Sequence, residues 1–215
     1  MVPFVNIHTH FQTNQQDVFE VVNQSPNQQN KDIDHFSIGI HPWHIEPEKV
    51  PFELQLLRQT LSQQNCFALG ECGLDKRIAI DFETQINIFE QQLCLAQEFQ
   101  KPVILHCVAA FEEIIKLKNK LKITVPMIIH GYSKNQILAK RLLDQGFFLS
   151  FGKNLIQNPK LAIVFKDIPM GRFFLETDNS NISIQEIYAK AIAIKGDFDI
   201  KNAVFSNLKS LQTKP

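Results

Sequence analysis

No stretch of this chain is apolar for long enough to cross a bilayer as a helix. Met1-Val2-Pro3 also lacks a basic region followed by an apolar one, as a signal peptide would have. The expected location is therefore cytoplasmic. Net charge is missing as well, since 22 Lys and Arg face 22 Asp and Glu. Without a global basic field there is little to hold long nucleic acid, so phosphate affinity must come from local groups or metal ions. The four cysteines, Cys66, Cys72, Cys94 and Cys107, form no C-x-x-C pair. They are expected as reduced core residues rather than as a zinc or disulfide framework. Internal repeats and linker-like shifts in composition are absent too, and the one biased tract is a Gln/Asn-rich loop at residues 25–34. What remains is ordinary globular composition, 44% hydrophobic and 20% charged over 215 residues, which predicts a single domain, 1–215, with a sizeable core.

Short apolar runs alternate with amphipathic segments. Strands are expected near residues 2–7, 18–22, 36–40, 66–70, 102–105, 126–129, 147–150 and 172–175. Pro51 opens a helix with Leu54, Leu57 and Leu61 on one face. Asp81 caps a long helix with the stripe Phe82, Ile86, Phe89, Leu93 and Ala96. Phe111, Ile114 and Ile115 mark a third helix, and Ser133 caps a fourth that stops at Gly146. Further helices start at Asn158-Pro159, at Ser183 with Glu186 completing a capping box, and at Asp199. Strands alternating with helices, each strand apolar throughout, predict an α/β fold of the (β/α)8 TIM-type barrel class. Only a short polar linker joins the first two strands, so the first crossover helix is expected to be reduced or missing.

The ionisable residues fall where such a barrel does its chemistry. His8 and His10 lie two residues apart at the end of the first strand and so share a face. Glu71, His106, His130 and Asp178 each stand at or just past the end of another, on the side where barrel active sites form. Taken singly each has an ordinary reading: a hydrogen-bonded core histidine, a solvated glutamate, an aspartate capping a turn. Five strands all ending in ligand-type residues instead point to metal. Six N and O donors exceed the needs of one tetrahedral ion, and a carboxylate such as Glu71 can bridge. Two divalent ions are therefore expected, drawn from Zn, Mn, Mg, Ni, Co or Fe. If the strand continues past Glu71, Gly73 and Asp75 share its face and Cys72 points away. Asp75 would then accept from a ligand imidazole and fix its tautomer. Cys107 faces away from His106 by the same parity. Lys153, in the loop after the seventh strand, is read either as a group that meets a phosphate or as a merely solvated lysine. Trp43 is read either as a base-stacking residue or as a lid or core anchor, and His35 and His44 as surface residues.

The series N-I-H-T-H, G-I-H-P-W, A-L-G-E-C-G-L-D, K-P-V-I-L-H-C, I-I-H-G-Y and F-L-E-T-D resembles the TatD family of metal-dependent hydrolases, in order and approximate spacing, over nearly the whole chain. The resemblance implies an amidohydrolase-like barrel with two divalent metals, in a family described mostly as deoxyribonucleases, some with 3′-to-5′ exonuclease activity. Carried over by position, it implies His8, His10 and Asp178 on one metal, His106 and His130 on the other, and Glu71 between them. Asp178 would also orient or deprotonate the attacking water, which makes Asp178 and Glu71 the catalytic candidates. His41, in the G-I-H-P position, would face the site and contact substrate, or else make a structural hydrogen bond beside Pro42.

Two departures stand out. Family members commonly carry H-S-R-D-A where this chain has His106-Cys107-Val108-Ala109-Ala110, so an Arg and an Asp near the substrate phosphate are missing. Only 30 residues separate His10 from His41, which is short for the first βαβ unit. The expected function is a divalent-metal-dependent phosphodiesterase or deoxyribonuclease acting on a single-stranded nucleic acid or a small phosphodiester, with no membrane partner. A metal-dependent amide, ester or aminoacyl-tRNA hydrolase is the alternative, and a metal-binding protein with little turnover the third reading. Oligomeric state is left open, a monomer included.

Overall fold

The computed structural model describes residues 2–212; Met1 and residues 213–215, the extremes of the expected 1–215 domain, lie outside it. Eight strands are hydrogen-bonded in chain order: β1 (Phe4–Thr9), β2 (Val18–Gln24), β3 (Phe36–Ile38), β4 (Cys66–Asp75), β5 (Val103–Val108), β6 (Met127–Ile129), β7 (Phe148–Phe151) and β8 (Phe173–Leu175). The helices are α1 (Val50–Leu61), α2 (Phe82–Phe99), α3 (Phe111–Lys120), α4 (Gln136–Asp144), α5 (Asn154–Gln157), α6 (Pro159–Asp167), α7 (Ile184–Lys195) and α8 (Ile200–Gln212). Paired strands run parallel, and Thr9 bridges Asp178, just past β8. This is the strand order of a (β/α)8 TIM-type barrel. Among the described residues neither residues 10–17 nor residues 25–35 contain a helix, so the first two connections are bare loops, as the short spacing predicts. No helix is long and apolar enough to cross a membrane.

By its contacts the chain divides into two compact units, one made of residues 1–22 and 128–215, the other of residues 23–127. In the first, β1 is laced to the far end of the sequence. Tyr188 is buried and its hydroxyl accepts from Val5 N (3.1 Å) and donates to Val5 O (3.2 Å). Asn6, also buried, donates from Nδ2 to Thr177 Oγ1 (2.9 Å) and accepts from Thr177 N (2.9 Å). Aromatic rings run from Tyr132 through Phe151 and Phe165 to Phe173, with centroids 5.7, 4.9 and 4.9 Å apart. Edge-on contacts of this kind add to the burial of large apolar rings. The capping box of α7, Ser183 with Glu186, forms as its sequence predicts. Elsewhere the structure differs from expectation. The cap of α4 is Asn135, whose side chain accepts from Leu138 N (3.0 Å), and not Ser133, because the turn of residues 131–134 delays the first helical residue to Gln136. The short α5 has too few residues to show a periodic pattern.

In the second unit, all ten residues of β4 are buried, which is why the run reads as apolar on both faces. β4 pairs with β5 with Gly73 opposite His106 and Asp75 opposite Val108. Gly73 adopts φ +145°, and a Cβ there would come within 2.0 Å of the His106 carbonyl oxygen, so only glycine lets the two strands approach. The buried faces of the helices are less apolar than the sequence suggests. Glu53 and Thr60 join Leu57 and Leu61 on α1 while Leu54 is half-buried; Gln85 and Gln92 join Phe89, Leu93 and Ala96 on α2 while Phe82 and Ile86 are half-buried. The glutamines are paid for by backbone hydrogen bonds. Gln85 accepts from Asp75 N (2.9 Å) and donates to Asp75 O (3.1 Å), and Gln92 accepts from Ile40 N (2.8 Å) and donates to Ile40 O (3.2 Å). His35, expected at the surface, is half-buried, and burial lowers its pKa.

Candidate metal centre

In the first unit, Asp178 is placed by backbone pairing to β1. Its N–H donates to His8 O (3.0 Å) and its carbonyl accepts from His10 N (3.1 Å). This clasp holds Asp178 at φ +53°, a left-handed conformation that aspartate tolerates better than most residues. The side chains converge as a result. Asp178 Oδ1 lies 3.7 Å from His8 Nε2 and 3.4 Å from His10 Nε2, with His8 wholly buried and His10 at the surface. Burial works against the Asp178 carboxylate, but hydrogen bonds from His10 and His8 outweigh it and hold the pKa far below the usual carboxylate range. One ligand atom from each of the three lies within 4.8 Å of the others. His130, just past β6, lies with its ring centroid 4.5 Å from that of His8, the two planes tilted by 50°. Glu176 Oε1 sits 3.4 Å from His130 Nδ1 and accepts from Gly131 N (2.7 Å). Lys153 donates to Asn179 Oδ1 (3.3 Å), beside Asp178 in sequence.

In the second unit, Glu71 Oε1 is the focus of two imidazoles, His41 Nε2 at 3.1 Å and His106 Nδ1 at 2.9 Å, and these three residues form another group within 4.8 Å. The tautomer of His41 follows from its partners: Nδ1 accepts from Trp43 N (3.1 Å), so the neutral ring carries its proton on Nε2 and donates to Glu71. Burial lowers the His41 pKa, against the pull of Glu71, and favours that neutral form. His106 differs. Its Nε2 lies 3.3 Å from Asp75 Oδ2, which also accepts from Trp43 Nε1 (2.7 Å). Burial of Asp75 raises its pKa, but the Trp43, Arg77 and His106 hydrogen bonds leave it below the ordinary value. His106 thus stands between two carboxylates, and its neutral ring has one N–H to donate to either of them. Imidazole and carboxylate together are donors that suit a divalent ion.

Of the residues singled out from the sequence, His8, His10 and Asp178 converge in the first unit with His130 beside His8, and His41, Glu71 and His106 converge in the second with Asp75 beside His106, while Lys153 meets Asn179. Sequence reasoning passed over four supporting residues: Asn6, Gln85, Gln92 and Glu176. For the first three the signal was present, as a lone amide inside an apolar strand and two glutamines seven residues apart on an otherwise apolar helix face; Glu176 carried none. Cys72 is buried and Cys107 half-buried, and neither belongs to a group that could hold a metal among the described residues.

Over 159 residues the chain is 29% identical to a protein of Haemophilus influenzae described as an uncharacterized metal-dependent hydrolase, covering 69% of this chain and 60% of that protein. Over 145 residues it is 32% identical to the 3′-5′ ssDNA/RNA exonuclease TatD of Erwinia tasmaniensis, covering 65% and 56%. The chain thus spans less than two thirds of the length of the curated relatives it matches. Among solved structures, the TatD homologue YJJV of Escherichia coli superposes with a TM-score of 0.80 at 20% identity, covering 97% of each chain. A TatD family hydrolase of Entamoeba histolytica gives 0.82 at 17% identity, covering 98% of each. At these identities the likeness speaks for the fold. The profile of the TatD related DNase family matches residues 4–186, and the chain belongs to that family.

Proposed function

We propose that this chain is a divalent-metal-dependent hydrolase that cleaves phosphodiester bonds, acting on single-stranded nucleic acid or a small phosphodiester in the cytoplasm. The observation that carries this reading is the convergence of imidazoles and carboxylates at strand ends: His8 and His10 on Asp178, and His41 and His106 on Glu71. The name of the Erwinia relative supports the substrate class. The ligands of two ions would come from His8, His10, Glu71, His106, His130 and Asp178. When bound, such ions lower the pKa of a coordinated water and neutralise charge gathering on phosphoryl oxygens.

The chain's own groups supply the rest. Asp178, kept ionised by its histidines, is the acceptor that orients and deprotonates the attacking water. His41 donates to Glu71 and fixes the direction of that carboxylate, Asp75 does the same for His106, and Glu176 for His130. Lys153 is the cation nearest in sequence to β7's end and the one we assign to a substrate phosphate. With Val108 and Ala109 where relatives commonly carry Arg and Asp, phosphate recognition rests on fewer groups, which favours a small or single-stranded substrate over long duplex.

The test pairs elemental analysis with a substrate panel. Purified protein is expected to hold close to two equivalents of divalent metal and to release mononucleotides from single-stranded DNA. Chelation should abolish that release, and Asp178→Asn should lower it by roughly 10²–10⁴-fold, the usual worth of a general base. Turnover of esters or amides with none of phosphodiesters would transfer the site to the second reading, and metal binding with no turnover on any substrate would sink both.

A further inference from the structure

Beyond the clustered imidazoles and carboxylates, the surface carries an apolar groove between α4 and α6, an exposed thiol at Cys94, and an exposed aromatic ring beside His41 and His106. Only the last comes with something that says what it is for. Trp43, the single tryptophan of the chain, is 57% exposed. That excludes a core anchor. A large apolar ring left in water is normally mobile, yet this one is tied at three points. The preceding Pro42 is buried, the Trp43 backbone N–H donates to His41 Nδ1 (3.1 Å), and the indole Nε1 donates to Asp75 Oδ2 (2.7 Å). The ring stands edge-to-face with His41 and His106, at centroid distances of 5.2 and 5.5 Å and interplanar angles of 88° and 77°. One edge of the indole is thus spent on the carboxylate that holds His106, and the exposed remainder is aromatic surface at fixed orientation. A rigid, half-exposed ring of this kind binds flat partners at little entropic cost.

We propose that Trp43 is a stacking platform for a nucleobase, seating the base that neighbours the phosphodiester to be cleaved. The inference rests on the phosphodiesterase reading and deepens it, by giving the site a handle on the base as well as on the phosphate. Unstacked bases of a single strand present the π-face such a platform needs, and stacking is indifferent to base identity. It also offers binding energy of a kind that the missing Arg after His106 does not, since stacking needs no charge.

Because the protein has one tryptophan, its fluorescence reads the platform directly. Metal-loaded protein is titrated with a short phosphorothioate oligodeoxynucleotide, which resists hydrolysis, and with an abasic phosphorothioate of equal length. Saturable quenching by the base-bearing oligomer is expected, with affinity roughly 5- to 150-fold above that of the abasic one, the range spanned by base–aromatic stacking. In anisotropy measurements with labelled oligomers, Trp43→Phe, which keeps a ring and loses the N–H, should retain most of the base preference. Trp43→Ala should lose it while metal content stays that of wild type. Equal affinity for the two oligomers overturns the proposal. So does a loss of metal in both variants alike with no base preference, because Trp43 would then serve only to hold Asp75. The two readings fail separately. Base preference without hydrolysis of ordinary oligonucleotides removes the phosphodiesterase and leaves the platform, whereas hydrolysis with no base preference does the reverse.

Discussion

Asp178 and Asp75 are both carboxylates at strand ends, yet their surroundings differ: two imidazoles on one, and an indole, a backbone amide and one imidazole on the other. Residue type told that carboxylates stand here; only packing told what each one meets. Glu176 shows the limit at this scale. It precedes the more conspicuous Asp178 by two positions, and nothing local distinguishes a glutamate that orients an imidazole from one that faces water. Its Oε2 is buried with no hydrogen-bond partner among the described residues. Glu53 is another acid hidden in a helix stripe, buried and bonded on one oxygen by the Asn27 amide. Burial raises its pKa above the ordinary 4.5, despite the Asn27 hydrogen bond. A carboxyl with a raised folded pKa favours the folded state below the ordinary value and costs stability once pH climbs through the raised one. Glu53→Gln should therefore gain stability relative to wild type near neutral pH, and the gap should close as pH falls toward 4.5. Urea unfolding at several pH values measures this, and a gap independent of pH would refute it.

At the scale of elements, strands were the most legible. Most of the eight runs are apolar because they are buried on both faces, β2 with its half-buried Glu20 and Asn23 being the exception, so strand existence and order could be read directly. Strand length was read less well: β4 continues through Asp75 because Gly70 and Gly73 allow β5 to lie close, a fact about a neighbour. Helix α2 was legible in its cap, where Asp81 accepts from Thr84 N, but its face was not. Periodicity marks Gln85 and Gln92 as polar interruptions, and their value appears only once their amides are seen to bond the backbone of Asp75 and Ile40. Gln92→Leu keeps the volume and strips the amide, leaving buried Ile40 N and O unpaired. It should cost about 2–4 kcal/mol and disturb His41, the next residue. Denaturant unfolding and metal content read the two effects, and a loss under about 0.5 kcal/mol would show that Ile40 finds other partners.

For the whole molecule, the α/β class and (β/α)8 order followed from the alternation of runs, while the division into residues 1–22 with 128–215 and residues 23–127 did not, because it depends on contacts between distant positions. The cysteines give this scale its own test. Cys94 is exposed on α2, whereas burial pushes the Cys66 thiol up to about 12 and raises Cys72 as well. Reactivity follows the thiolate. A thiol reagent at pH 8 should modify Cys94 at once, and Cys66 and Cys72 only when denaturant opens residues 23–127; peptide mapping by mass spectrometry assigns them. Modification of Cys66 at the rate of Cys94 would mean that this unit opens far more often than its burial implies.

The clasp between β1 and the segment after β8 also has a meaning in time. Asn6 grips Thr177 across 171 positions, and Val5 grips Tyr188 across 183. A ribosome delivers the first partner of each pair early and the second only when most of the chain has emerged, while residues 23–127 can settle among themselves in between. His8 and His10 therefore meet Asp178 late in biosynthesis. A nascent or truncated chain, however well its middle has folded, lacks the grouping of His8 and His10 with Asp178, which is complete only once Asp178 has been made.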